Sequence, residues 1–221
     1  MRAAIQTHFR SRRLNRLYPL FERVHSERGA VDLVDIGGTQ RYWQLASQSA
    51  LEQFNVTITV VNLPIENLPE DNGRFRFVSA DACDLSSFDD RTFDIAHSNS
   101  VVEHVGDWER MTRYASELRR VADAFYVQTP NYWFPIEPHA ITPFFHWLPK
   151  PLRVRLVERF ALGNWKRAET IDMAMREVES ARLLTRRAFQ ALFPDGEVHT
   201  ERVLGCAKSF VAVRNSASPL G

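Results

Sequence analysis

The sequence predicts an α/β fold whose sheet is mostly parallel and covered by helices on both faces. Between residues 31 and 130, five strand-like segments alternate with helix-like segments, a pattern typical of parallel sheets. The strand-like segments are short apolar runs such as VDLVDI, the kind that strands buried on both faces show. One more helix and two closing strands are predicted after a proline-rich interval.

Length and composition indicate a single globular domain over residues 1–221. The chain is 44% hydrophobic and 25% charged, which suits a domain with a sizeable buried core. A net charge of +1 gives no electrostatic case for a nucleic-acid partner. No apolar run reaches the roughly 18 residues that span a bilayer. We interpret Cys83 and Cys206 as buried thiols in a reducing cytoplasm, because two cysteines make neither a disulfide framework nor a metal cluster.

The first predicted element is an amphipathic helix over residues 1–28. Apolar side chains recur at helical spacing, namely Ile5, Phe9, Leu17 and Phe21. The segment is also basic, as targeting peptides are, but no apolar stretch of the kind that targeting peptides carry follows it. We therefore expect a folded helix.

Strands and helices then alternate. Residues 41–53 are predicted to form a helix between the first two strands. Asp107 is a suitable N-cap for a helix over residues 108–121, and Glu109 in its first turn is favoured by the helix dipole. The five predicted strands are contained in the segments VDLVDI, VTITVVNL, FRFVSAD, TFDIAHS and AFYVQTP.

Residues 130–182 interrupt this alternation. Prolines cannot donate to a strand ladder, so we expect an insertion of short helices that lies over the carboxyl edge of the sheet as a lid. A packing appendage without that function is the alternative. A helix in TRRAFQALF then ends before Pro194, and EVHTERVLG and KSFVAVR predict a closing β-hairpin. The prolines of the insertion are Pro130, Pro135, Pro138, Pro143, Pro149 and Pro151.

The loop after the first strand contains an acid and two glycines, Asp35, Gly37 and Gly38. Ligands of open α/β sheets bind at the carboxyl ends of strands. A dinucleotide site needs glycines at its first, third and sixth positions, but counting from Gly37 these positions hold Thr39 and Tyr42. We therefore predict that NAD and FAD do not bind. A ligand without phosphates but with an amino group, such as S-adenosylmethionine, fits better.

The order VDIGG, VVNL, SADACDL and FDIAHSNSVVEHV resembles the class I S-adenosylmethionine-dependent methyltransferases, over about residues 31–129. The resemblance implies a Rossmann-like sheet of seven strands whose last strand is antiparallel. It also implies S-adenosylmethionine as the cofactor and methyl transfer as the activity. Gln40 and Arg41 stand where the family loop usually has a further glycine.

The resemblance gives cofactor-binding roles to residues at the ends of four strands. Asp35 would accept hydrogen bonds from the methionine ammonium group. Asn62 stands where the family usually has an acid that holds both ribose hydroxyls, and Asp81 would accept from the adenine amino group. The full predicted set is Asp35, Gly37, Gly38, Asn62, Asp81, Ala82, Asn99 and Ser100.

Each of these residues also has a purely structural interpretation. Asp35 can cap the helix that follows, the glycines can serve a turn, and Asp81 can form an Asx-turn. We favour cofactor binding because Asp35, Asn62 and Asp81 fall at the ends of three successive strands.

Two histidine neighbourhoods can supply a general base. Glu103 and His104 follow the fourth strand, and Glu137 and His139 lie in the insertion. We predict His104 and His139 as catalytic candidates, although a lone histidine is more often structural. A metal site would need a third ligand that the sequence does not indicate, so we predict no metal. The predicted acceptor pocket consists of Tyr132, Trp133, Glu137 and His139.

The predicted activity is methyl transfer to a small molecule, such as a hydroxyl of a sugar, a lipid or a natural-product precursor. The aromatic insertion can enclose such a pocket, and no basic stripe with interleaved aromatics marks an RNA path. A non-catalytic binding protein with the same fold is one alternative, suggested by Gln40 and Asn62. A membrane-peripheral methyltransferase is the other and less favoured one, suggested by the basic first helix and by residues 143–160.

Overall fold

A computed structural model describes residues 11, 13–64 and 69–216 of the chain. The described strands are β1 (Val31–Ile36), β2 (Val56–Asn62), β3 (Phe75–Ser79), β4 (Phe93–Asn99), β5 (Ala122–Pro130), β6 (Ile136–Glu137), β7 (Thr142–Pro143), β8 (Glu197–Val203) and β9 (Cys206–Arg214). From residue 18 onwards, the described α-helices are α1 (Tyr18–Arg28), α2 (Gln40–Trp43), α3 (Gln48–Gln53), α4 (Trp108–Val121), α5 (Lys150–Arg159), α6 (Ile171–Glu179) and α7 (Arg186–Leu192).

Seven strands form one sheet in the order β3-β2-β1-β4-β5-β9-β8. Strands β1 to β5 pair in parallel, β9 pairs antiparallel with β5, and β8 pairs antiparallel with β9. The predicted Rossmann-like sheet with an antiparallel last strand is confirmed. Because β1 has β2 on one side and β4 on the other, the strand order reverses at β1, where such sheets bind ligands.

Each face of the sheet carries its own apolar core. Helix α4 covers one face with buried residues such as Tyr114 and Leu118, which pack with Phe125 of β5. Helix α1 covers the other face with Phe21, which packs with Tyr126 of β5. Phe125 and Tyr126 are consecutive in β5 but pack into the cores on opposite faces of the sheet, because successive side chains of a strand point to opposite faces. Burial of each such side chain contributes about 1.5–3 kcal/mol.

The predicted single helix over residues 41–53 is wrong, because two short helices take its place. Thr39 caps α2, since its Oγ1 accepts a hydrogen bond from Tyr42 N at 3.3 Å. Ser47 caps α3 by accepting from Ala50 N at 3.2 Å. A second cap within the segment starts a new helix instead of continuing the first.

The N-terminal helix is confirmed in α1, but as one continuous helix over residues 1–28 it is wrong, because a turn at residues 16 and 17 separates α1 from the helical residues 13–15. Pro19, in the first turn of α1, has no N–H with which to continue an earlier helix. Leu17, Phe21 and Val24 are buried against the sheet as their spacing predicts. Residues 1–10, which include the other predicted apolar positions of this helix, lie outside the described residues.

The two cysteines differ in environment. Cys83 is buried in the turn after β3, where its Sγ donates to Arg110 O at 3.3 Å. Cys206 is exposed, so its predicted burial is wrong; it begins β9 directly after the tight turn at Leu204 and Gly205. Both are free thiols. Among the described helices, none has the length and apolar character needed to cross a membrane.

The insertion forms a small unit with its own core beside the carboxyl edge of the sheet. Val157 of α5 and Ala174 of α6 pack around Phe145, and β6 pairs with β7. Its far end is tied to the sheet because Arg182 N donates to Glu103 O at 2.7 Å. Its role as a lid stays a prediction.

A buried ion pair joins the segment before α1 to the closing hairpin. The Arg13 guanidinium donates to Glu201, with Nε 3.1 Å from Oε1 and 3.0 Å from Oε2. It also donates to Ser209 Oγ at 3.3 Å, Asn99 Oδ1 at 2.8 Å and Gln128 Oε1 at 3.0 Å. Buried charges are costly unless they are paired and hydrogen-bonded, so these contacts fix the segment across the ends of β4 and β5.

Replacing Arg13 should cost more stability than breaking a surface pair. In Arg13→Ala the buried Glu201 carboxylate loses its partner, so we expect unfolding to become easier by about 3–5 kcal/mol in urea denaturation. Arg176→Ala removes an exposed pair with Asp172 and should cost less than about 1 kcal/mol. Equal losses in the two variants would contradict a buried, paired Arg13.

The ion pair between Arg13 and Glu201 also makes the stability loss in Arg13→Ala depend on pH. Burial acts to raise the pKa of Glu201, but hydrogen bonds and charge from Arg13, aided by Ser209, hold that pKa below its usual range. A carboxyl with a depressed folded-state pKa stabilises the fold above its unfolded-state pKa, about 4.3, and loses this contribution as the pH falls through the folded value. The stability difference between wild type and Arg13→Ala should therefore shrink in acid.

Candidate active site

The loop after β1 has no room for side chains at its two glycines. Gly37 has a φ of +71°, a conformation that favours glycine, and a Cβ there would lie 2.5 Å from Val101 Cγ2. A Cβ on Gly38 would overlap the carboxylate of Asp35. Gly37 N also donates to Val61 O at 2.7 Å, which ties the loop to β2. Packing of neighbouring atoms therefore requires both glycines.

Asp35 lies fully buried beneath this loop. Its Oδ2 accepts from Trp43 Nε1 at 2.7 Å, and its Oδ1 lies 2.6 Å from His97 Nδ1. It does not cap α2, because Thr39 does, so the capping interpretation is wrong. We interpret Asp35 as the residue that shapes the loop from below. Its contact with a ligand ammonium group stays a prediction.

Asn62, at the end of β2, supports the loop from the side. Its Nδ2 donates to Gly38 O at 3.0 Å. A carboxylate at this position could not make that bond, because an ionised acid only accepts. The geometry thus gives a physical reason for an amide at this position. The other amide atom, Asn62 Oδ1, is an acceptor that could bind a ligand hydroxyl.

Asp81, after β3, is held in place by two partners. Its Oδ1 accepts from Cys83 N at 2.9 Å, so the Asx-turn interpretation is confirmed. Arg110 Nη2 donates to Oδ1 at 3.0 Å and to Oδ2 at 2.8 Å. The Arg110 hydrogen bond and then the Cys83 N–H lower the pKa of Asp81. Ala82 follows in the same turn, and the adenine-binding role of both residues stays a prediction.

The ends of β4 and β5 are linked by polar contacts. Asn99 Oδ1 accepts from Arg13 at 2.8 Å. Ser100 has a φ of +59°, an uncommon backbone conformation that costs of order 1–3 kcal/mol and tends to occur at functional sites. Its N donates to Gln128 O at 3.0 Å and its Oγ to Gln128 Oε1 at 2.9 Å.

Sequence reasoning did not single out three residues that organise these strand ends, Arg13, Gln128 and Arg110. Gln128 could have been identified from the sequence, because its amide directly follows the apolar residues AFYV in the fifth predicted strand. Arg13 and Arg110 gave none, since each lies among other basic residues on a predicted helix.

A family model described as "Methyltransferase domain" matches residues 34–124. The matched segment contains the Asp35 loop and the strands from β2 to β4, in the sheet order described above. Over this segment the chain is similar to methyltransferase domains, in line with the resemblance to class I S-adenosylmethionine-dependent methyltransferases.

Two curated relatives and two solved structures are similar to this chain. The uncharacterized proteins MT1557 and Rv1509 of Mycobacterium tuberculosis are each 28% identical over 145 residues, which cover 60% of this chain and 46% of theirs. The chain thus spans about half the length of these curated relatives.

The solved structures show the fold. A SAM-dependent methyltransferase from Archaeoglobus fulgidus is 14% identical with a TM-score of 0.53, covering 94% of this chain and 93% of that chain. The 1,6-didemethyltoxoflavin-N1-methyltransferase of Burkholderia thailandensis, with bound 1,6-didemethyltoxoflavin and S-adenosylhomocysteine, is 15% identical with a TM-score of 0.51. The alignment covers 90% of this chain and 77% of the Burkholderia thailandensis protein.

The two histidines predicted as catalytic candidates meet beside the glycine loop. His104 Nε2 lies 3.0 Å from His139 Nε2, although the residues are 35 positions apart. His104 Nδ1 lies 2.7 Å from Ser180 O, and His139 Nδ1 lies 2.7 Å from Glu137 Oε1. His104 N donates to the carbonyl of Val101, the residue that touches Gly37. The insertion thus brings its histidine to the end of β4.

The hydrogen bonds indicate which nitrogen of each neutral ring carries the proton. Carbonyl and carboxylate oxygens accept, so each Nδ1 carries the proton and each neutral ring has a bare Nε2. Burial acts to lower the pKa of His139, but the hydrogen bond and charge of Glu137, with the charge of Glu103, raise that pKa overall. Two bare Nε2 atoms at 3.0 Å repel unless a proton or a cation lies between them.

Glu103 lies behind the histidine pair and is 1% exposed. Its Oε2 accepts from Thr129 Oγ1 at 2.9 Å. Its Oε1 is buried without a hydrogen-bond partner among the described residues. Burial raises the pKa of this carboxyl, against the opposing charge of His104.

The predicted acceptor residues do not form one wall. Tyr132 and Glu137 line a cavity of about 470 Å³ in the insertion, which Ser180 also borders. Trp133 is 64% exposed and does not line this cavity, and His139 instead faces the other histidine. Their role in acceptor binding stays a prediction.

A side chain added at Gly37 should destabilise the fold more than one added at an open site of similar backbone conformation. Gly205 has a φ of +81° with open space around its Cβ position, so Gly205→Ala reports backbone strain alone. Gly37→Ala adds the clash with Val101, and we expect a further loss of about 1–3 kcal/mol in urea denaturation. Equal losses would mean that the loop yields to a side chain.

Proposed function

We propose that this chain transfers the methyl group of S-adenosylmethionine to a hydroxyl of a small-molecule acceptor. The observation that carries the proposal is the loop of Asp35, Gly37 and Gly38, fixed by its neighbours where the strand order reverses. Open α/β sheets bind ligands outside the carboxyl ends of their strands at this point, and the packing of Val101 and Asp35 against the two glycines holds the loop in one shape there.

The polar residues around the loop suit the proposed cofactor. S-adenosylmethionine carries an amino acid, a ribose and an adenine but no phosphate, so it needs acceptors more than a phosphate cradle. Asn62 Oδ1 would accept from a ribose hydroxyl, and Asp81 would accept from the adenine amino group. Asn99 and Ser100 would lie beside the methionine moiety. The bound S-adenosylhomocysteine of the Burkholderia thailandensis relative supports the same cofactor here.

Methyl transfer from a sulfonium is an in-line displacement in which the cofactor loses its positive charge. Holding the acceptor about 3–3.5 Å from the methyl group supplies much of the rate. A hydroxyl must also lose its proton. We propose that the Nε2 atoms of His104 and His139 act on that proton, because their position next to Val101 brings them near the glycine loop.

Aromatic side chains in the insertion favour a small acceptor with an apolar part. Tyr132 and Trp147 line the cavity, and the Trp147 ring lies 5.1 Å from Phe144 and 6.2 Å from Trp133. Pockets for small molecules combine such apolar walls with a few polar groups, here Glu137. The small molecule of the Burkholderia thailandensis relative supports this class of acceptor.

The two alternatives have weaker support. Asn62 suggested lost cofactor affinity, but its bond to Gly38 gives the amide a positive role. Membrane association needs a free apolar helix face, whereas Val154 and Val157 of α5 pack into the core of the insertion. We retain the cytoplasmic location as part of the proposal, which the two free thiols support.

Calorimetry with S-adenosylmethionine tests the cofactor site. Wild type should bind one equivalent, and Asp35→Ala should weaken binding at least tenfold, which is about 1.4 kcal/mol, because the loop loses its support. Asp32→Ala changes an exposed acid at the other end of β1 and should leave the affinity unchanged. NAD should not compete. Equal affinity in wild type and Asp35→Ala would remove Asp35 from the site.

Turnover tests the histidine pair once an acceptor is identified. His104→Ala and His139→Ala should each lower turnover by about 10²- to 10⁴-fold without changing S-adenosylmethionine affinity. His199→Ala, which changes a half-exposed histidine of β8, should keep wild-type turnover. Wild-type turnover in both of the first two variants would exclude the pair.

The pH profile tests the same pair. Because Glu137 raises the pKa of His139, wild-type turnover should fall as the pH drops below that raised value. Glu137→Gln should move the fall to lower pH. An unchanged profile in Glu137→Gln would separate His139 from the proton-transfer step.

A further inference from the structure

We propose that Glu103, His104 and His139 bind a divalent transition-metal cation of the Zn²⁺ class. The ligand atoms of these residues all lie within 4.8 Å of one another. Two imidazoles and one carboxylate form a donor set that proteins use for catalytic zinc and for other divalent metals. The sequence predicted no metal because it showed only two ligands, and the fold supplies the third.

The two imidazoles present their metal-binding atoms to the same point. Each Nδ1 donates to an oxygen, so both bare Nε2 lone pairs face each other at 3.0 Å. Two nitrogens that bind one tetrahedral zinc at about 2.0–2.1 Å lie roughly 3.3 Å apart. A shift of a few tenths of an ångström therefore converts a repulsive pair into a pair of ligands.

Both histidines also have the supporting contacts that metal ligands need. A ligating histidine normally donates its other ring N–H to a carboxylate or a backbone carbonyl, which fixes its tautomer and orientation. His139 has the carboxylate of Glu137, and His104 has the carbonyl of Ser180. Glu137 is itself held, because it accepts from the backbone N–H groups of His139 and Ala140.

The environment of Glu103 gives a second, independent indication that a cation binds here. Its Oε1 is buried without a partner among the described residues, and an unsatisfied buried carboxylate oxygen is costly. Its Oε2 is already fixed by Thr129. A cation beside Oε1 would satisfy this oxygen and offset the negative charge that burial disfavours.

Three protein ligands leave at least one coordination position for another oxygen. If the proposed methyl transfer holds, the acceptor hydroxyl binds there. With the cation bound, both Nε2 atoms are ligands and not bases, and the cation instead lowers the pKa of the hydroxyl so that its proton passes to water. The oxygen then forms a bond to the methyl carbon, and the C–S bond breaks with its electron pair remaining on sulfur. This role rests on the proposed function, whereas cation binding itself does not.

Titration of the chelator-treated full chain with Co²⁺ alone tests the site. We expect one equivalent to bind with visible d–d absorption bands. His104→Ala and His139→Ala should each weaken binding by about a hundredfold or more, and Glu103→Gln at least about tenfold. Glu137→Gln, which removes only the supporting carboxylate, should weaken it by about 10- to 100-fold.

His199→Ala is the matched control and should bind Co²⁺ as wild type does. Thermal denaturation should show that His104→Ala, a change at an exposed side chain, keeps the wild-type fold. Absence of stoichiometric binding, or unchanged binding in both His104→Ala and His139→Ala, would overturn the proposal and leave a shared proton between the rings. The affinity for S-adenosylmethionine, measured separately by calorimetry on the metal-free chain, tests the proposed function independently of cation binding.

Discussion

The hydrogen bonds of the buried Asp35 carboxylate are the constraint on which the candidate site depends. A carboxylate without access to water needs partners, and Trp43 and His97 supply them at 2.7 and 2.6 Å. Trp43 comes from α2 and His97 from β4, so one side chain joins the loop, the helix after it and the neighbouring strand. Gly38 packs against the carboxylate with no space for a Cβ. The shape of the loop follows from the burial of this one charge.

The other features of the sheet edge follow from that shape. The Gly38 carbonyl needs a donor, and an amide at Asn62 provides it where an acid could not. Val101 closes on Gly37, which starts the turn that leads to His104. The insertion then brings His139 to the same place, where a Glu103 carboxylate oxygen and ring nitrogens of His104 and His139 lie within 4.8 Å of one another. The loop proposed to bind the cofactor and a cluster of potential metal ligands thus lie at adjacent strand ends.

Local sequence patterns predicted the sheet, because short apolar runs and helix caps such as Asp107 depend on neighbouring residues only. The break at Ser47 was missed because one cap was read as part of a continuous helix. Contacts between distant residues could not be predicted. Arg13 meets Glu201, which is 188 positions away, and no local pattern encodes such a pair. The third potential metal ligand was hidden for the same reason, since the position of Glu103 relative to His139 depends on how the insertion folds back.

The central claim is that the loop supported by Asp35 is the cofactor site, and a crystal structure of the chain with S-adenosylhomocysteine tests it most directly. The account predicts electron density for the methionine and ribose parts along Gly37 and Gly38, with the ribose beside Asn62 and the adenine beside Asp81. The Trp43 and His97 bonds to Asp35 should persist in that complex. Density for the ligand at another position, or a sheet edge without ligand at saturating concentration, would contradict the account.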